Sequence, residues 1–142
     1  MNVLTVADGH GCFSSDALKQ EIIGKPTPDV ILFLGDNDYD DLEAVANLYP
    51  NVHKYGILGN HDMKIDGKDT VLDEAGIPNI HLKIVECKGI KIGGFEGSIR
   101  YKPSSYYPLY SGKESLDFLA DFPYCDVFIT HSPSQFFEPD VI

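Results

Sequence analysis

The sequence predicts an α/β fold in which a mostly parallel sheet carries helices on its faces. Short apolar segments alternate with amphipathic ones, turn residues separate them, and one apolar segment is hydrophobic at every position. Strands that alternate with helices build parallel sheets. The 142 residues are enough for one domain with a hydrophobic core. The composition, 43% hydrophobic and 23% charged, is typical of a globular protein.

The first half of the chain predicts three strands and two helices. The strands cover three apolar runs, at residues 3–7, 30–34 and 52–58. The middle run has no polar position, which is typical of a strand covered on both faces. The helices begin near Ser14 and at Asp38, whose side chains suit an N-cap. Gly24 and Pro50 end them.

The second half of the chain predicts a hairpin between helices, followed by a last strand. A helix at residues 69–75 precedes the hairpin, whose strands are residues 80–87 and 90–95. We expect this antiparallel pair beside or behind the parallel sheet. A polar, aromatic loop then leads to a helix at residues 113–122, with Leu116 and Leu119 facing inward. The last apolar strand covers residues 126–130.

The charge of the chain limits its partners. There are 22 acidic and 11 basic residues, and the net charge is −11. Such a field repels nucleic acid and anionic membrane surfaces, so neither is an expected partner. It also repels a phosphate ester, so a substrate of that kind requires strong local positive charge, which bound metal ions supply.

The sequence favours the cytoplasm. No apolar run approaches the roughly 20 residues that span a bilayer. Residues 1–7 lack a basic flank and predict a strand rather than a signal peptide. The three cysteines are odd in number and widely spaced, which argues against a disulfide framework or a cysteine-based zinc site. We interpret each as a small core residue in a reducing compartment.

Polar side chains follow four of the predicted strands, at the point where each strand ends. They are Asp8 and His10, then Asp36, then Asn60, His61 and Asp62, and finally His131. In open α/β sheets, function gathers at the carboxyl ends of the strands. We therefore expect these side chains to meet at one rim of the sheet.

The residue types at this rim are those of a metal site. Residues i and i+2 of an extended chain face the same way, so Asp8 and His10 can reach one ion. Carboxylate, amide and imidazole groups suit divalent manganese, iron, zinc or nickel. A central carboxylate such as Asp36 can bridge two ions. Two metals roughly 3.5–4 Å apart hold a nucleophilic hydroxide and clamp phosphate oxygens.

Each motif also has a plainer interpretation when taken alone. Strand-end, turn and helix-cap roles explain the acidic residues, and surface or structural roles explain the histidines. His53 and His81 fall inside predicted strands, and we interpret them as structural or surface residues. Arg100 either grips a substrate phosphate or forms a surface ion pair. The loop tyrosines either cover the site or pack against the domain; they are Tyr101, Tyr106, Tyr107 and Tyr110.

At these residues the sequence resembles the calcineurin-like metallophosphoesterase family. The motifs that carry the resemblance are Asp8-Gly9-His10, Gly35-Asp36, Gly59-Asn60-His61-Asp62 and the lone His131. The resemblance covers essentially the whole chain. It implies a metallophosphoesterase-type α/β/β/α sandwich and a dimetal-dependent hydrolase of phosphate monoesters or diesters, with a metal-bridged hydroxide attacking phosphorus. The partner would be a phosphate-ester small molecule or a nucleotide.

The resemblance also implies roles for individual residues. Asp8 and His10 are implied as ligands of the first metal, and Asp36 as the bridging carboxylate. Asn60 and His131 are implied as ligands of the second metal. His61 is implied to contact substrate, together with Asn60, and to stabilise the transition state or protonate the leaving oxygen. Asp62 is implied as its orienting partner.

One motif of the family, Gly-His-x-His, is not found. Only residues 132–142 follow His131, and none of them is histidine. We therefore expect one phosphoesterase domain over residues 1–142 that is incomplete at its C-terminus. Its metals would have more open positions, and a bare sheet edge would favour a homo-oligomer. Two hypotheses stay open: an active phosphoesterase, or a degenerate member that binds metal or phosphate or acts as an interaction module.

Overall fold

The computed structural model describes residues 1–12, 15–66, 68–103 and 105–133, without the side chains of residue 15 and residues 17–19. Its first sheet is parallel, in the order β1-β2-β3. The elements of this half are β1 (Val3–Val6), α1 (Ser15–Ile22), β2 (Val30–Phe33), α2 (Tyr39–Leu48) and β3 (His53–Gly56). They follow the predicted order. Ser14, the predicted N-cap, lies outside the described residues.

A second three-stranded sheet carries the predicted hairpin. The elements of this half are β4 (Lys64–Ile65), β5 (Lys68–Asp69), α3 (Thr70–Glu74), β6 (Ile84–Cys87), β7 (Ile90–Phe95), β8 (Ser98–Ile99), β9 (Leu109–Tyr110), α4 (Gly112–Leu119) and β10 (Val127–Thr130). The sheet order is β10-β7-β6. β7 pairs antiparallel with β6 and parallel with β10. The carboxyl ends of β7 and β10 therefore lie side by side.

The two sheets pack face to face, and β2 is buried on both of its faces. Ile31 and Phe33 point to the helices, in one apolar cluster with Leu42 of α2. Leu32 points the other way and packs against Ile92 of the second sheet. Full burial of each such side chain contributes about 1.5–3 kcal/mol. β2 is apolar at every position because both of its faces are buried, as the sequence predicted.

The layers confirm the expected α/β/β/α arrangement. Helices α2 and α3 cover the outer face of the first sheet, through the cluster that includes Leu72. On the far side, the Phe122 ring closes over Gly93 of β7, where a Cβ would lie 2.8 Å from it. Nearby, the Phe118 ring of α4 lies 6.5 Å from that of Phe95. No helix among the described residues has the length and apolar character needed to cross a membrane.

Several local predictions were wrong. The hairpin strand begins at Ile84 rather than at residue 80, because Leu82 has a positive φ of 54° that interrupts the extended backbone. His81 therefore precedes the strand. Leu116 of α4 is exposed rather than inward. Cys12 is also exposed, whereas Cys87 is buried, and all three cysteines are free.

The described part of the polar loop at residues 96–112 contains two strands that were not predicted. These strands, β8 and β9, pair in parallel. Two residues per strand are too few to produce a recognisable period in the sequence. β10 pairs with β7 alone among the described strands. Because residues 134–142 lie outside the described part, association through a bare edge stays a prediction.

Candidate metal centre

The loops that follow β1 and β2 are joined by their backbones. The amide of Asp8 donates to the carbonyl of Gly35 at 3.1 Å, and the amide of His10 donates to the carbonyl of Asp36 at 3.2 Å. Asp8, His10 and Asp36 have φ angles of 53°, 46° and 55°, so the segment from Asp8 to His10 is not extended, contrary to the expectation from the sequence. Such left-handed conformations cost non-glycine residues about 1 kcal/mol or more. The surrounding hydrogen bonds hold the loops in these strained conformations.

Two glycines allow the loop after β3 to reach the loop after β2. A Cβ at Gly35 would lie 2.2 Å from the backbone nitrogen of Gly59. A Cβ at Gly59 would lie 2.0 Å from Oδ1 of Asp36. Neither position has room for a side chain. The glycines that precede the ligand-type residues are therefore required by close backbone approach.

Asp8, His10 and Asp36 form the first cluster of ligand atoms. One donor atom from each lies within 4.8 Å of the others, so the three could hold one metal ion. Asp36 is buried, while Asp8 and His10 are exposed. Oδ1 of Asp36 accepts a hydrogen bond of 2.8 Å from the amide of His61. This bond leaves Oδ2, which lies 4.0 Å from Nε2 of His10, facing the centre.

A second group of donor atoms meets at the same oxygen. Nε2 of His131 lies 3.5 Å from Oδ2 of Asp36 and 2.9 Å from Oδ1 of Asn60. Nδ1 of His131 donates to the carbonyl of Leu34 at 2.8 Å. In a neutral ring this leaves Nε2 with a lone pair. Three lone-pair atoms then face one another, which requires a proton or a cation between them.

In the absence of a cation, a proton on Nε2 of His131 would fill that place. The hydrogen bond to Asp36, aided by the carbonyl of Leu34, raises the pKa of His131 despite its burial. Burial by itself raises the pKa of Asp36, but the hydrogen bonds from His131 and from the amide of His61 outweigh it and lower the pKa. A divalent cation would replace the proton at Nε2. Carboxylate, amide and imidazole donors fit such an ion.

His61 lies at the mouth of the centre. Its side chain is exposed, and its ring meets that of His10 edge to face, with 5.7 Å between the centroids. The backbone amide of His61 donates to Asp36, which fixes the backbone from which the side chain extends, and the imidazole faces solvent. This position suits a group that contacts substrate.

The carboxylate of Asp62 ties two loops together. Its Oδ2 accepts hydrogen bonds from the amides of Asp36, at 2.8 Å, and Gly59, at 2.7 Å. Burial raises the pKa of Asp62 in spite of these bonds. The side chain thus joins the turn at Gly35-Asp36 to the turn at Gly59 through hydrogen bonds to their backbone amides. A role in orienting His61 stays a prediction.

Sequence reasoning missed two residues that hold the loop after β1. Asn37 is buried, and its amide accepts from Gly9 N at 3.2 Å and donates to Gly35 O at 2.9 Å. Oδ2 of Asp41, also buried, accepts from the amides of Gly11 at 2.8 Å and Asp38 at 3.1 Å. In the sequence, Asp41 is indistinguishable from an ordinary helix-start residue. The adjacency of Asn37 to Asp36 was the available signal.

A buried polar group at the end of β7 was also missed. The Glu96 carboxylate accepts from Lys64, from Tyr110 at 2.8 Å and from Asn79 at 3.0 Å. Its side chain has no exposed area. Nε2 of His81 lies 3.8 Å away, which gives this histidine a structural role. The sequence placed Glu96 at the start of a polar loop, where a glutamate is ordinarily solvated.

Arg100 is turned away from the centre. Its guanidinium donates to the carbonyl of Leu109 at 3.1 Å and lies 2.9 Å from the carboxylate of Glu114 in α4. The ion-pair interpretation therefore describes Arg100 better than a phosphate grip. Two of the loop tyrosines have different surroundings. Tyr110 packs against Phe95 and His81. The hydroxyl of Tyr101 lies 3.4 Å from Nδ2 of Asn60.

The sequence profile described as calcineurin-like phosphoesterase matches residues 1–142. No curated protein gave a significant match. One solved crystal structure superposes with a TM-score of 0.62 at 15% identity, covering 93% of this chain and 69% of the other, a likeness of fold. Since the family profile spans the whole sequence, the chain belongs to the calcineurin-like phosphoesterase family.

Proposed function

We propose that this protein hydrolyses phosphate monoesters or diesters at a centre of two divalent metal ions. The observation that carries the proposal is the shared carboxylate of Asp36. Its Oδ2 lies 4.0 Å from Nε2 of His10 on one side and 3.5 Å from Nε2 of His131 on the other. One oxygen between two separate sets of donors is the arrangement that a bridging ligand requires.

The donors divide into two sets around Asp36. Asp8, His10 and Asp36 would hold the first ion, and Asp36, Asn60 and His131 the second. When bound, the two ions supply positive charge for the phosphate oxygens and activation of the attacking water. This charge also offsets the net charge of −11, which otherwise opposes an anionic substrate. Manganese, iron, zinc and nickel all suit these donors.

Residues of the chain itself would orient the donors and handle the leaving group. The carbonyl of Leu34 holds Nδ1 of His131 and thereby turns Nε2 toward Asp36. His61, exposed at the mouth, would contact a phosphate oxygen or protonate the leaving oxygen. Asn60 would contact the substrate through its amide. Asp62 holds the turns that carry Asp36 and Gly59.

The finer parts of the proposal are the metal, the substrate and the compartment. We propose manganese as a working metal, a small-molecule phosphate ester or nucleotide as substrate, and a cytoplasmic location. The three free cysteines support a reducing compartment. The donor set of two carboxylates, two imidazoles and one amide supports a borderline divalent ion.

A turnover assay with p-nitrophenyl phosphate and added manganese tests the proposal. We expect metal-dependent turnover that His61→Ala reduces on the order of 10²-fold or more, the contribution of one donor to a phosphate oxygen in the transition state. His53→Ala is the matched control, because His53 is exposed on β3, away from the carboxyl end. Turnover equal to that of a metal-free sample would remove the enzyme hypothesis and favour a binding module.

A further inference from the structure

A loop residue with an exposed aromatic ring lies directly beside the proposed metal centre. The hydroxyl of Tyr101 is 3.4 Å from Nδ2 of Asn60, and 57% of the residue is exposed. The amide oxygen of the same Asn60 faces His131. Tyr101 therefore touches a proposed metal ligand on the side that faces solvent.

A lysine ammonium accompanies this ring. Nζ of Lys102 lies 4.4 Å from the ring centroid of Tyr107 and 5.3 Å from that of Tyr101. Attraction between a cation and aromatic faces holds such groups together. The pair therefore places one positive charge beside the aromatic ring whose hydroxyl contacts Asn60.

The segment before Tyr101 is fixed on the domain. The amide of Gly97 donates to the carbonyl of Leu58 at 2.7 Å, which joins the loop to the strand end before Asn60. The amide of Arg100 donates to the carbonyl of Tyr110 at 2.9 Å. Together with the ion pair between Arg100 and Glu114, these bonds set the position of Tyr101 relative to the centre.

Packing does not account for the position of Tyr101. Its neighbour in the same loop, Tyr110, stacks on His81 with 5.8 Å between the centroids and donates to Glu96, as a structural tyrosine does. Tyr101 instead leaves most of its surface in solvent, and its hydroxyl contacts Asn60. An exposed tyrosine beside a reactive centre offers a face for a planar group of the substrate.

We propose that Tyr101 and Lys102 form the subsite for the leaving group, and that they select phosphate esters whose leaving group carries a planar ring. This inference rests on the proposed function, because it places the phosphate at the centre formed by Asp36, Asn60 and His131. Tyr101 contacts the ring, and Lys102 adds attraction for the phosphate. An aryl group and a nucleobase share this chemistry.

Phosphonates that cannot be hydrolysed test the subsite without relying on turnover. Calorimetry with added manganese compares phenylphosphonate with methylphosphonate. We expect about fivefold to tenfold tighter binding of the phenyl compound, the gain of one aromatic contact. Tyr101→Ala should abolish this preference and Tyr101→Phe should retain it. Lys102→Gln should weaken both ligands to a similar extent, and less so at high salt.

Controls and further ligands make the result specific. Tyr124→Ala, at an exposed tyrosine whose hydroxyl contacts Asp126 instead, should keep the preference for the phenyl compound. The phosphonate analogues of adenosine 5′-monophosphate and of ribose 5-phosphate, which cannot be hydrolysed either, repeat the comparison for a nucleobase. A Tyr101-dependent preference in that second pair, but not in the first, assigns the subsite to nucleosides.

The outcomes separate this inference from the proposed function. Metal-dependent turnover together with equal binding of ring and ringless ligands, in the wild type and in Tyr101→Ala, overturns the subsite and leaves the phosphoesterase intact. A Tyr101-dependent ring preference without any turnover supports the subsite and overturns catalysis. Failure of all four ligands to bind the wild type overturns the subsite.

Discussion

Oδ2 of Asp36 lies 3.5 Å from Nε2 of His131, so two strand ends from different sheets meet at one carboxylate. β2 delivers Asp36 from the parallel sheet, and β10 delivers His131 from the mixed sheet. The face-to-face packing of these sheets therefore does more than bury apolar side chains. It brings the second half of the proposed metal centre to the first.

This relationship predicts that Asp36→Asn damages metal binding more than any other single ligand change. The variant keeps the size of the side chain but removes a charge that would serve both ions. We expect manganese affinity to fall by at least about tenfold and the binding stoichiometry to drop. Titration calorimetry measures both. Asp40→Asn, the same change at an exposed position in α2, should bind as the wild type does. Unchanged stoichiometry and affinity in Asp36→Asn would contradict the bridging assignment.

Metal removal should lower the stability of the folded protein. An ion that binds only the native state at 100 times its dissociation constant stabilises it by about 2.7 kcal/mol. We expect a chelator to reduce the melting temperature of the wild type. His131→Gln should lose much of the manganese-dependent increase, while His53→Gln, at an exposed residue, should keep it. An identical manganese response in all three proteins would count against His131 as a ligand.

Substitutions of Asp62 distinguish two possible roles of its carboxylate: holding backbone amides in place, or supplying a negative charge to His61. Its carboxylate accepts two backbone hydrogen bonds, from Asp36 and Gly59, and Asn retains an acceptor oxygen. We expect Asp62→Ala to lower the free energy of unfolding by about 1–3 kcal/mol through two unsatisfied amides and to weaken metal binding. Asp62→Asn should recover most of both, as urea unfolding and calorimetry can measure. If Asp62→Asn loses turnover as completely as Asp62→Ala while metal binding recovers, the carboxylate charge acts on His61.

The placement of the candidate residues near one another could be predicted because each follows a recognisable apolar strand. Parallel strands in one sheet bring their carboxyl ends together, so Asp8, Asp36 and Asn60 needed only the strand order. The double burial of β2 was equally visible, because its run of residues has no polar position. These predictions depend on the hydrophobic pattern within each segment and on the order of the segments along the chain, and both can be read directly from the sequence.

Other contacts could not be predicted, because they join segments whose relative positions are set by the complete fold. Glu96 meets Lys64 and Asn79 only after the two sheets have packed, and nothing near it in the sequence marks a buried carboxylate. Asp62 resembles a side-chain partner of its neighbour His61, yet its hydrogen bonds run to backbone amides. Hydrogen bonds to backbone groups leave no pattern of residue types.

The buried Glu96 predicts a pH-dependent contribution to stability. Burial raises the pKa of Glu96, but nearby positive charge, from His81 and Lys64, and hydrogen bonds outweigh it and lower the pKa. Burial also lowers the pKa of His81, so at neutral pH we attribute the effect to Lys64. A lowered carboxyl pKa adds stability that is fully present above the unfolded value, about 4.3. It is lost as the pH falls through the folded value.

We therefore expect Glu96→Gln to lower the free energy of unfolding at pH 7 by about 2 kcal/mol, the value of hydrogen bonds to a charged group. The difference from the wild type should shrink as the pH falls below about 4.3. Urea unfolding between pH 3 and pH 7 measures it. Glu86→Gln, at an exposed residue of β6, is the control. A difference that stays constant over this range would show that the charge of Glu96 contributes nothing.

The close contact between Gly59 and Asp36 predicts that a larger residue at position 59 disrupts the metal centre by steric clash. A Cβ at Gly59 would lie 2.0 Å from Oδ1 and 2.6 Å from the backbone nitrogen of Asp36, so Gly59→Ala has to displace both. We expect a fall of about 3 kcal/mol in the free energy of unfolding, at the upper end of overpacking costs, with loss of manganese binding. Urea unfolding and calorimetry measure the two effects.

Gly112→Ala is the matched control for this substitution. A Cβ at Gly112, the first residue of α4, meets nothing within 4 Å, and the capping Ser111 precedes it. Alanine is the better helix former, so we expect a gain of up to about 1 kcal/mol with unchanged metal binding. Normal manganese affinity in Gly59→Ala would mean that the loops after β2 and β3 can separate without dispersing the ligands. The ligand positions would then depend on the strands rather than on the contact between the turns.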